Sequence, residues 1–108
     1  MKQYEIWWAV LPPPAGRRPV LLLSRDAAYE RLSRVTAVEV TSHARGIPQE
    51  LQLGADEGLS LRSVANFDNV AAVPRDCLDV RIGAFAPERI VDVKHALGCA
   101  FGWPELTM

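Results

Sequence analysis

The sequence predicts a mainly β domain that ends in one α-helix, with its strands forming a small, strongly curved antiparallel sheet. Six or seven short runs are rich in β-branched and aromatic residues, and Gly, Pro and polar clusters separate them. The apolar residues take a helical spacing of three and four only after Pro87. Because 108 residues suffice for one compact core but not for two, we expect a single domain over residues 1–108.

The first part of the chain contains three predicted strands. Tyr4–Leu11 is rich in aromatic and β-branched residues and ends at three consecutive prolines. Pro19–Ser24 is a short apolar run, which is typical of a buried strand. The polar segment Arg25–Ser33 follows, and its Asp26 is a candidate cap for a short helical turn. Arg34–Thr41, with apolar and polar residues interspersed, is the third strand.

The second part of the chain contains the remaining strands and the helix. Glu50–Leu53 alternates as a half-exposed antiparallel strand should, and an acidic turn follows it. Further strands are predicted at Leu59–Val64, Ala65–Val73 and Val80–Phe85, with a helical turn at Pro74–Cys77. The final helix starts at Pro87, and Gly102 and Pro104 end it.

Composition excludes several classes of protein. Apolar residues make up 49% of the chain and charged residues 23%, which favours a folded globule over a disordered segment. No apolar run approaches the roughly 18–20 residues of a membrane span, and the N-terminus lacks the apolar core of a signal peptide. We therefore expect a cytoplasmic protein that does not use a membrane. Cys77 and Cys99 lack metal-ligand spacing, and free buried thiols are favoured over a disulfide.

The charges are unevenly distributed along the chain. The formal net charge is −1, which does not by itself indicate nucleic-acid binding. Residues 1–45 contain seven basic and four acidic residues, whereas residues 46–108 contain five basic and nine acidic ones. If the first half folds onto one face, it would form a local positive groove rich in arginine; if it does not, the charges would be spread over the surface.

The junction Gly16-Arg17-Arg18-Pro19 is the strongest candidate for a functional motif. Pro19 has a fixed φ and disfavours the helical conformation at Arg18, so Arg18 should lie at a rigid junction between a loop and a strand. A guanidinium held in this way can bind phosphate through its planar fork of donors. The alternative is that both arginines are solvated charges beside a strand.

Four segments resemble the MazF/PemK family of toxin endoribonucleases. Residues 4–24 resemble its N-terminal signature, a strand and a Pro-containing loop followed by an Arg-Pro pair and an apolar strand. Thr36–Ser42 is similar to the family's third strand, which ends in Thr or Thr-Ser. Ser63–Val70 resembles a later strand, and Ile90–Gly98 resembles the closing helix. The resemblance implies the SH3-like barrel of the MazF/CcdB group.

The resemblance also implies an activity, namely metal-independent, sequence-specific cleavage of single-stranded RNA without a cofactor. In this reaction the 2′-hydroxyl attacks the adjacent phosphorus and leaves a 2′,3′-cyclic phosphate and a 5′-hydroxyl. Arg18 and Thr41 match the family's catalytic arginine and threonine. Because a guanidinium pKa above about 12 makes a poor base, we expect Arg18 to act mainly by stabilising charge. Without the resemblance, Thr41 would be an ordinary strand residue.

Further residues near these two are candidates for binding substrate. Asn69 occupies the family's Gln/Asn position and could contact a base edge, although its amide could instead bond the local backbone. The other candidates are Arg17, Ser24, Arg25, Ser42, His43 and Arg45. With only two histidines, His43 and His95, and no motif of metal ligands, we expect no metal site.

Partners follow only from the resemblance. It implies a homodimer and a cognate MazE-like antitoxin whose C-terminal segment covers the active groove. Two alternatives to the ribonuclease remain. One is a non-catalytic CcdB-like toxin that poisons a protein such as DNA gyrase through its C-terminal helix, and the other is an inert SH3-like adaptor. The loop before Arg18 is also shorter than in many family members, which affects how RNA would be held.

Overall fold

A computed structural model describes all residues from 1 to 108 and contains one six-stranded antiparallel sheet. The strands are β1 (Glu5–Val10), β2 (Arg17–Leu22), β3 (Arg34–Thr41), β4 (Glu50–Leu53), β5 (Ser63–Pro74) and β6 (Leu78–Ala84). Their order in the sheet is β4-β5-β3-β2-β1-β6, and the sheet curls into a half-barrel whose two edge strands do not pair with each other. This confirms the predicted mainly β fold with a strongly curved antiparallel sheet.

Strands β3 and β4 have the predicted bounds, whereas the prediction of two strands at Leu59–Val64 and Ala65–Val73 is wrong. One strand, β5, covers residues 63–74, because both of its halves pair with β3 and no turn interrupts it, and residues 59–62 lie outside any strand. Its register slips, however. Val38 lies opposite Val70 and Val40 lies opposite Ala65, so residues 66–69 form a bulge in β5.

Two helices complete the fold. The first, α1 (Ala28–Arg31), is a single turn without a side-chain cap, because its N-cap residue is Ala27. The predicted cap Asp26 lies one residue earlier and accepts a hydrogen bond from the backbone N–H of Gln3. The second, α2 (Ile90–Phe101), follows a 3-10 turn at Pro87–Arg89 and ends where Gly102 adopts a left-handed φ of 68°. Neither helix has the length and apolar character needed to cross a membrane. Both cysteines are free and half-buried.

Alternate residues of the strands pack into two separate cores. On one side of the sheet, which we call the helix face, Leu21 and Val38 pack with Val93 and Ala96 of α2. On the opposite side, which we call the site face, Val20 and other buried residues pack near Tyr29 of α1. Because side chains alternate along a strand, the same strands supply both cores.

Pro19 explains why β2 and β3 separate at one end. Their last paired residues are Val20 and Glu39. In an antiparallel ladder, every second pair of residues exchanges backbone hydrogen bonds. Because the N–H of Leu23 donates to the carbonyl of Thr36, the bonded positions on the β2 side of this register are residues 23, 21 and 19. The pair after Val20–Glu39 would therefore need an N–H from residue 19. Since proline has no N–H, the ladder ends there, although β1 continues to pair with β2 as far as Arg17.

Candidate active site

Arg18 and Thr41 lie at the separated ends of β2 and β3. In the register of these strands, two residues beyond the last pair would place Arg18 opposite Thr41. Both residues also lie on the site face, because Arg18 pairs with the buried Ala9 of that core and Thr41 is two residues from Glu39 on β3. The sheet therefore brings together two side chains that are far apart in sequence, at a place where the backbone ladder is open.

The Arg18 guanidinium is held by its Nε edge. Nε donates a hydrogen bond of 2.9 Å to the carbonyl oxygen of Ala15, in the loop that leads into β2. The nearest carboxylate oxygen, Oε1 of Glu39, lies 3.7 Å from the same nitrogen. Both terminal nitrogens of Arg18 lack a protein partner, so they are available to an anion as a fork of donors.

Thr41 and His43 are linked at the end of β3. The backbone N–H of His43 donates to Oγ1 of Thr41 at 3.2 Å. The hydroxyl oxygen is therefore already an acceptor, which leaves the hydroxyl proton free to donate to a ligand.

Two adjoining cavities meet at Arg18, Thr41 and His43. The first cavity has a volume of about 420 Å³, and Arg18 is its one formally charged residue. Four hydroxyl groups line it, and Trp8 forms part of its wall. These hydroxyls belong to Thr41, Ser42, Ser60 and Ser63. One cation surrounded by hydroxyl donors suits a phosphate or another oxyanion.

The second cavity has a volume of about 230 Å³ and no apolar residue in its lining. Besides the three shared residues, it is lined by Glu39, Arg45, Glu50, Asn66 and Asn69. Its two arginines and two glutamates balance in formal charge, so a positive groove, one of the two arrangements that the sequence left open, does not extend here. The amides of Asn66 and Asn69 come from the bulge in β5, which supplies donors and acceptors suited to a polar ring such as a nucleobase.

Glu50 organises the loop between β3 and β4. Its carboxylate accepts backbone hydrogen bonds from Arg45, Gly46 and Ile47, at distances between 2.8 and 3.3 Å. These bonds, first of all the one from Arg45, lower the pKa of Glu50 below its usual 4.5. The carboxylate is thus committed to holding the loop that carries His43 and Arg45.

The structure separates the candidate residues into three groups. Arg18, Thr41, Ser42, His43, Arg45 and Asn69 line one or both cavities. Arg17 lies over the ring of Trp8 at 4.4 Å and forms an ion pair with Asp79, so it adjoins the first cavity from outside. Ser24 and Arg25 lie beyond the opposite end of β2, where the Ser24 hydroxyl accepts a hydrogen bond from the Thr36 N–H.

Sequence reasoning missed Glu39. Its side chain is 43% exposed, lies beside Arg18 and lines the second cavity. The available signal was its position two residues before Thr41, because this spacing places both side chains on one face of a strand. Nothing in the sequence showed that Arg18 would lie next to it.

The fold and the site together define a small β-domain that presents an arginine and a hydroxyl in an open groove whose donors suit an oxyanion. Residues 2–101 match the family model for the PemK-like, MazF-like toxins of type II toxin-antitoxin systems. Because this match spans most of the chain, the chain belongs to that family.

Individual relatives agree with this assignment. The chain is 36% identical to the probable endoribonuclease MazF2 of Mycobacterium tuberculosis, over 94% of this chain and 99% of that protein. The structure of M. tuberculosis toxin MazF-mt6 superimposes with a TM-score of 0.84 at 32% identity, covering 91% of this chain and 96% of that one. An endoribonuclease in complex with its cognate antitoxin, from a mycobacterial species, superimposes with a TM-score of 0.81 at 25% identity, covering 96% and 97% of the two chains.

Proposed function

We propose that this toxin is an endoribonuclease that cleaves single-stranded RNA at a short recognised sequence, without a metal ion. The observation that carries the proposal is the convergence of Arg18 and Thr41 at the open ends of β2 and β3, where both line the same two cavities. The relatives named as endoribonucleases support the same activity.

The proposed reaction uses the nucleophile that RNA itself carries. The 2′-oxygen forms a bond to the adjacent phosphorus as the bond from phosphorus to the 5′-oxygen breaks, which gives a 2′,3′-cyclic phosphate and a 5′-hydroxyl. Negative charge builds up on the non-bridging oxygens during this step. The free terminal nitrogens of Arg18 and the hydroxyl proton of Thr41 are the donors that would stabilise it.

The two cavities suggest how the RNA would lie. A phosphate favours the first cavity, where Arg18 is the one charged residue and hydroxyls surround it. A base favours the second cavity, where amides and balanced charges can contact its edges. Ser42, His43, Arg45 and Asn69 would then contact substrate, with Arg17 at the rim and Ser24 and Arg25 remote from the cleaved bond.

We also propose that the toxin acts as a homodimer in the cytoplasm and that a cognate antitoxin neutralises it. The structural relatives that were solved with an antitoxin support this partner. An extended segment of the antitoxin with acidic side chains could pair with Arg18 in the same groove from which RNA must be excluded.

A long RNA of defined sequence tests the activity. The purified protein is incubated with this RNA in EDTA, the fragments are sequenced, and their 3′ ends are assayed for cyclic phosphate. We expect discrete cuts at one recurring short motif, with a cyclic phosphate at each new 3′ end.

Two results would contradict the proposal. Intact RNA in the presence of a well-folded dimer would favour the protein-binding toxin, and inhibition of DNA gyrase would then be measured. Cuts that appear only when Mg²⁺ is added would exclude the metal-independent mechanism.

A further inference from the structure

We propose that Glu39 is the general base of the cleavage reaction, the group that takes the proton from the attacking 2′-hydroxyl. This inference rests on the proposed ribonuclease function and assigns the one step for which neither Arg18 nor Thr41 is suited. A guanidinium stays protonated at all ordinary pH, and a threonine hydroxyl is a very weak base.

The position of Glu39 supports this role. It lies on β3 two residues before Thr41, so its side chain is on the same face of the sheet as the Thr41 hydroxyl. Its Oε1 lies 3.7 Å from Nε of Arg18, and both side chains are 43% exposed. A phosphate bound between Arg18 and Thr41 would therefore bring the neighbouring ribose close to this carboxylate.

The carboxylate oxygens of Glu39 are free to accept a proton, unlike those of Glu50, the other carboxylate of the second cavity. Glu50 accepts backbone hydrogen bonds from three consecutive residues of the loop, so its oxygens are occupied. The carboxylate of Glu39 accepts no hydrogen bond, and its one close charged partner is Arg18, whose Nε lies 3.7 Å away and already donates to the carbonyl of Ala15. Glu39 can therefore accept a proton without losing a hydrogen bond.

The charged neighbours of Glu39 explain how a carboxylate can be tolerated beside RNA. Arg18 of β2 lies beside it, and Arg45 and His43 of the loop after β3 line the same cavity. Glu50 adds the one further negative charge, from β4, and the β5 bulge contributes only the neutral Asn66 and Asn69. Arg18 and Arg45 together offset the two carboxylates, so a phosphate would meet no net negative charge at this site.

Cleavage transfers one proton to Glu39 and replaces one bond to phosphorus by another. The proton moves from the 2′-oxygen to Glu39, the 2′-oxygen bonds to phosphorus, and the bond from phosphorus to the 5′-oxygen breaks. The 5′-oxygen takes a proton from water, and protonated Glu39 returns its proton to solvent afterwards. In an in-line displacement the base and the leaving group lie on opposite sides of the phosphorus, so Glu39 serves only the attacking side.

The test compares Glu39→Gln with the wild-type protein on a short RNA containing the mapped cleavage motif. Single-turnover rates at saturating protein report the chemical step, and the same RNA with a 2′-deoxy nucleotide at the cleaved position reports binding. We expect the rate to fall at least about a hundredfold, the scale of a lost general base, with binding changed by less than about threefold. Glu88→Gln, an exposed glutamate outside both cavities, is the matched control and should behave as wild type.

Chemical rescue separates a base from a residue that only holds Arg18. In Glu39→Ala, added formate should restore part of the rate, because it can occupy the vacated space and accept the proton. A residue that acts only through packing would not be rescued.

The outcomes distinguish this inference from the proposed function. If the wild-type protein cleaves the RNA and Glu39→Gln is equally fast, the assignment of Glu39 falls while the ribonuclease stands. A loss of about a hundredfold in His43→Gln, with Glu39→Gln as fast as the wild-type protein, would assign the base to His43 instead. If binding falls as much as the rate, Glu39 is a positioning residue for Arg18. If the wild-type protein does not cleave, both proposals fail.

Discussion

The two faces of the sheet use the same strands for different purposes. On the helix face, Leu21 and Val38 are almost fully buried in the core beneath α2, and Val40 at the end of β3 also lines the first cavity. On the site face, the neighbouring residues Arg18, Glu39 and Thr41 stay accessible, because β2 and β3 separate there. Strand residues on the helix face therefore contribute mainly to stability, and their neighbours on the site face contribute mainly to the site. Substitutions on each face can test this division.

The largest expected effect is a loss of stability caused by a substitution on the helix face. Leu21 is fully buried, so Leu21→Ala should lower the free energy of unfolding by about 2–5 kcal/mol through lost burial and the cavity that it leaves. Urea denaturation measures this change. RNA cleavage per folded molecule should change little, and a loss of cleavage as large as that of a site variant would show that the two faces are coupled.

The matching substitution on the site face of the same strand is Arg18→Ala. Its side chain is partly exposed and packs little, so the free energy of unfolding should change by less than about 1 kcal/mol. The cleavage rate should fall a hundredfold or more, because a donor for the developing charge is lost. Arg18→Lys keeps the charge but not the fork of donors, and it should recover only part of the rate. Near-wild-type cleavage by a folded Arg18→Ala protein would remove Arg18 from the site.

A smaller effect on stability is expected from a substitution in the apolar core of the site face, away from the groove. The hydroxyl of Tyr29 donates to the carbonyl of Ser24 at 3.0 Å, and burial raises the pKa of Tyr29 to about 12. Tyr29→Phe should lower the free energy of unfolding by about 1 kcal/mol through the lost hydrogen bond and leave cleavage unchanged.

The pH dependence of stability provides a second measurement for Tyr29→Phe. An unfolded tyrosine ionises near pH 10, whereas folded Tyr29 stays protonated up to about pH 12. Its contribution to stability should therefore be present below pH 10 and be lost as the pH rises towards 12. Tyr29→Phe should remove this part of the alkaline loss, which pH-dependent unfolding measures. An unchanged alkaline profile would contradict the assignment.

The smallest expected effect concerns the loop that carries His43 and Arg45. Hydrogen bonds from the loop backbone, led by Arg45, lower the pKa of Glu50, so the ordering of the loop should hold above about pH 4.5 and weaken as the pH falls further. The amide NMR signals of Arg45, Gly46 and Ile47 should shift together with this titration. Glu50→Gln should abolish the shared shift, and its persistence would assign the titration to another group.

Much of the fold was predictable because strand and helix signals are local. The alternation in Glu50–Leu53 and the composition of Arg34–Thr41 predicted β4 and β3 with the bounds observed. The change in hydrophobic spacing after Pro87 likewise predicted α2. The division of residues 59–73 into two strands was wrong. The continuity of β5 through its bulge depends on pairing with β3, and no local pattern in the sequence reveals that pairing.

For the site, the sequence by itself determined which residues have suitable chemistry, since an arginine before a proline and a hydroxyl at a strand end are local features. It also determined that Pro19 has no N–H to donate to a ladder. Only the tertiary structure decided that this missing donor faces β3, that Arg18 lies beside Glu39 and lines the same cavities as Thr41, and that Ser24 and Arg25 lie at the far end of β2. These relations depend on strand register and sheet curvature, which arise from contacts between residues distant in sequence.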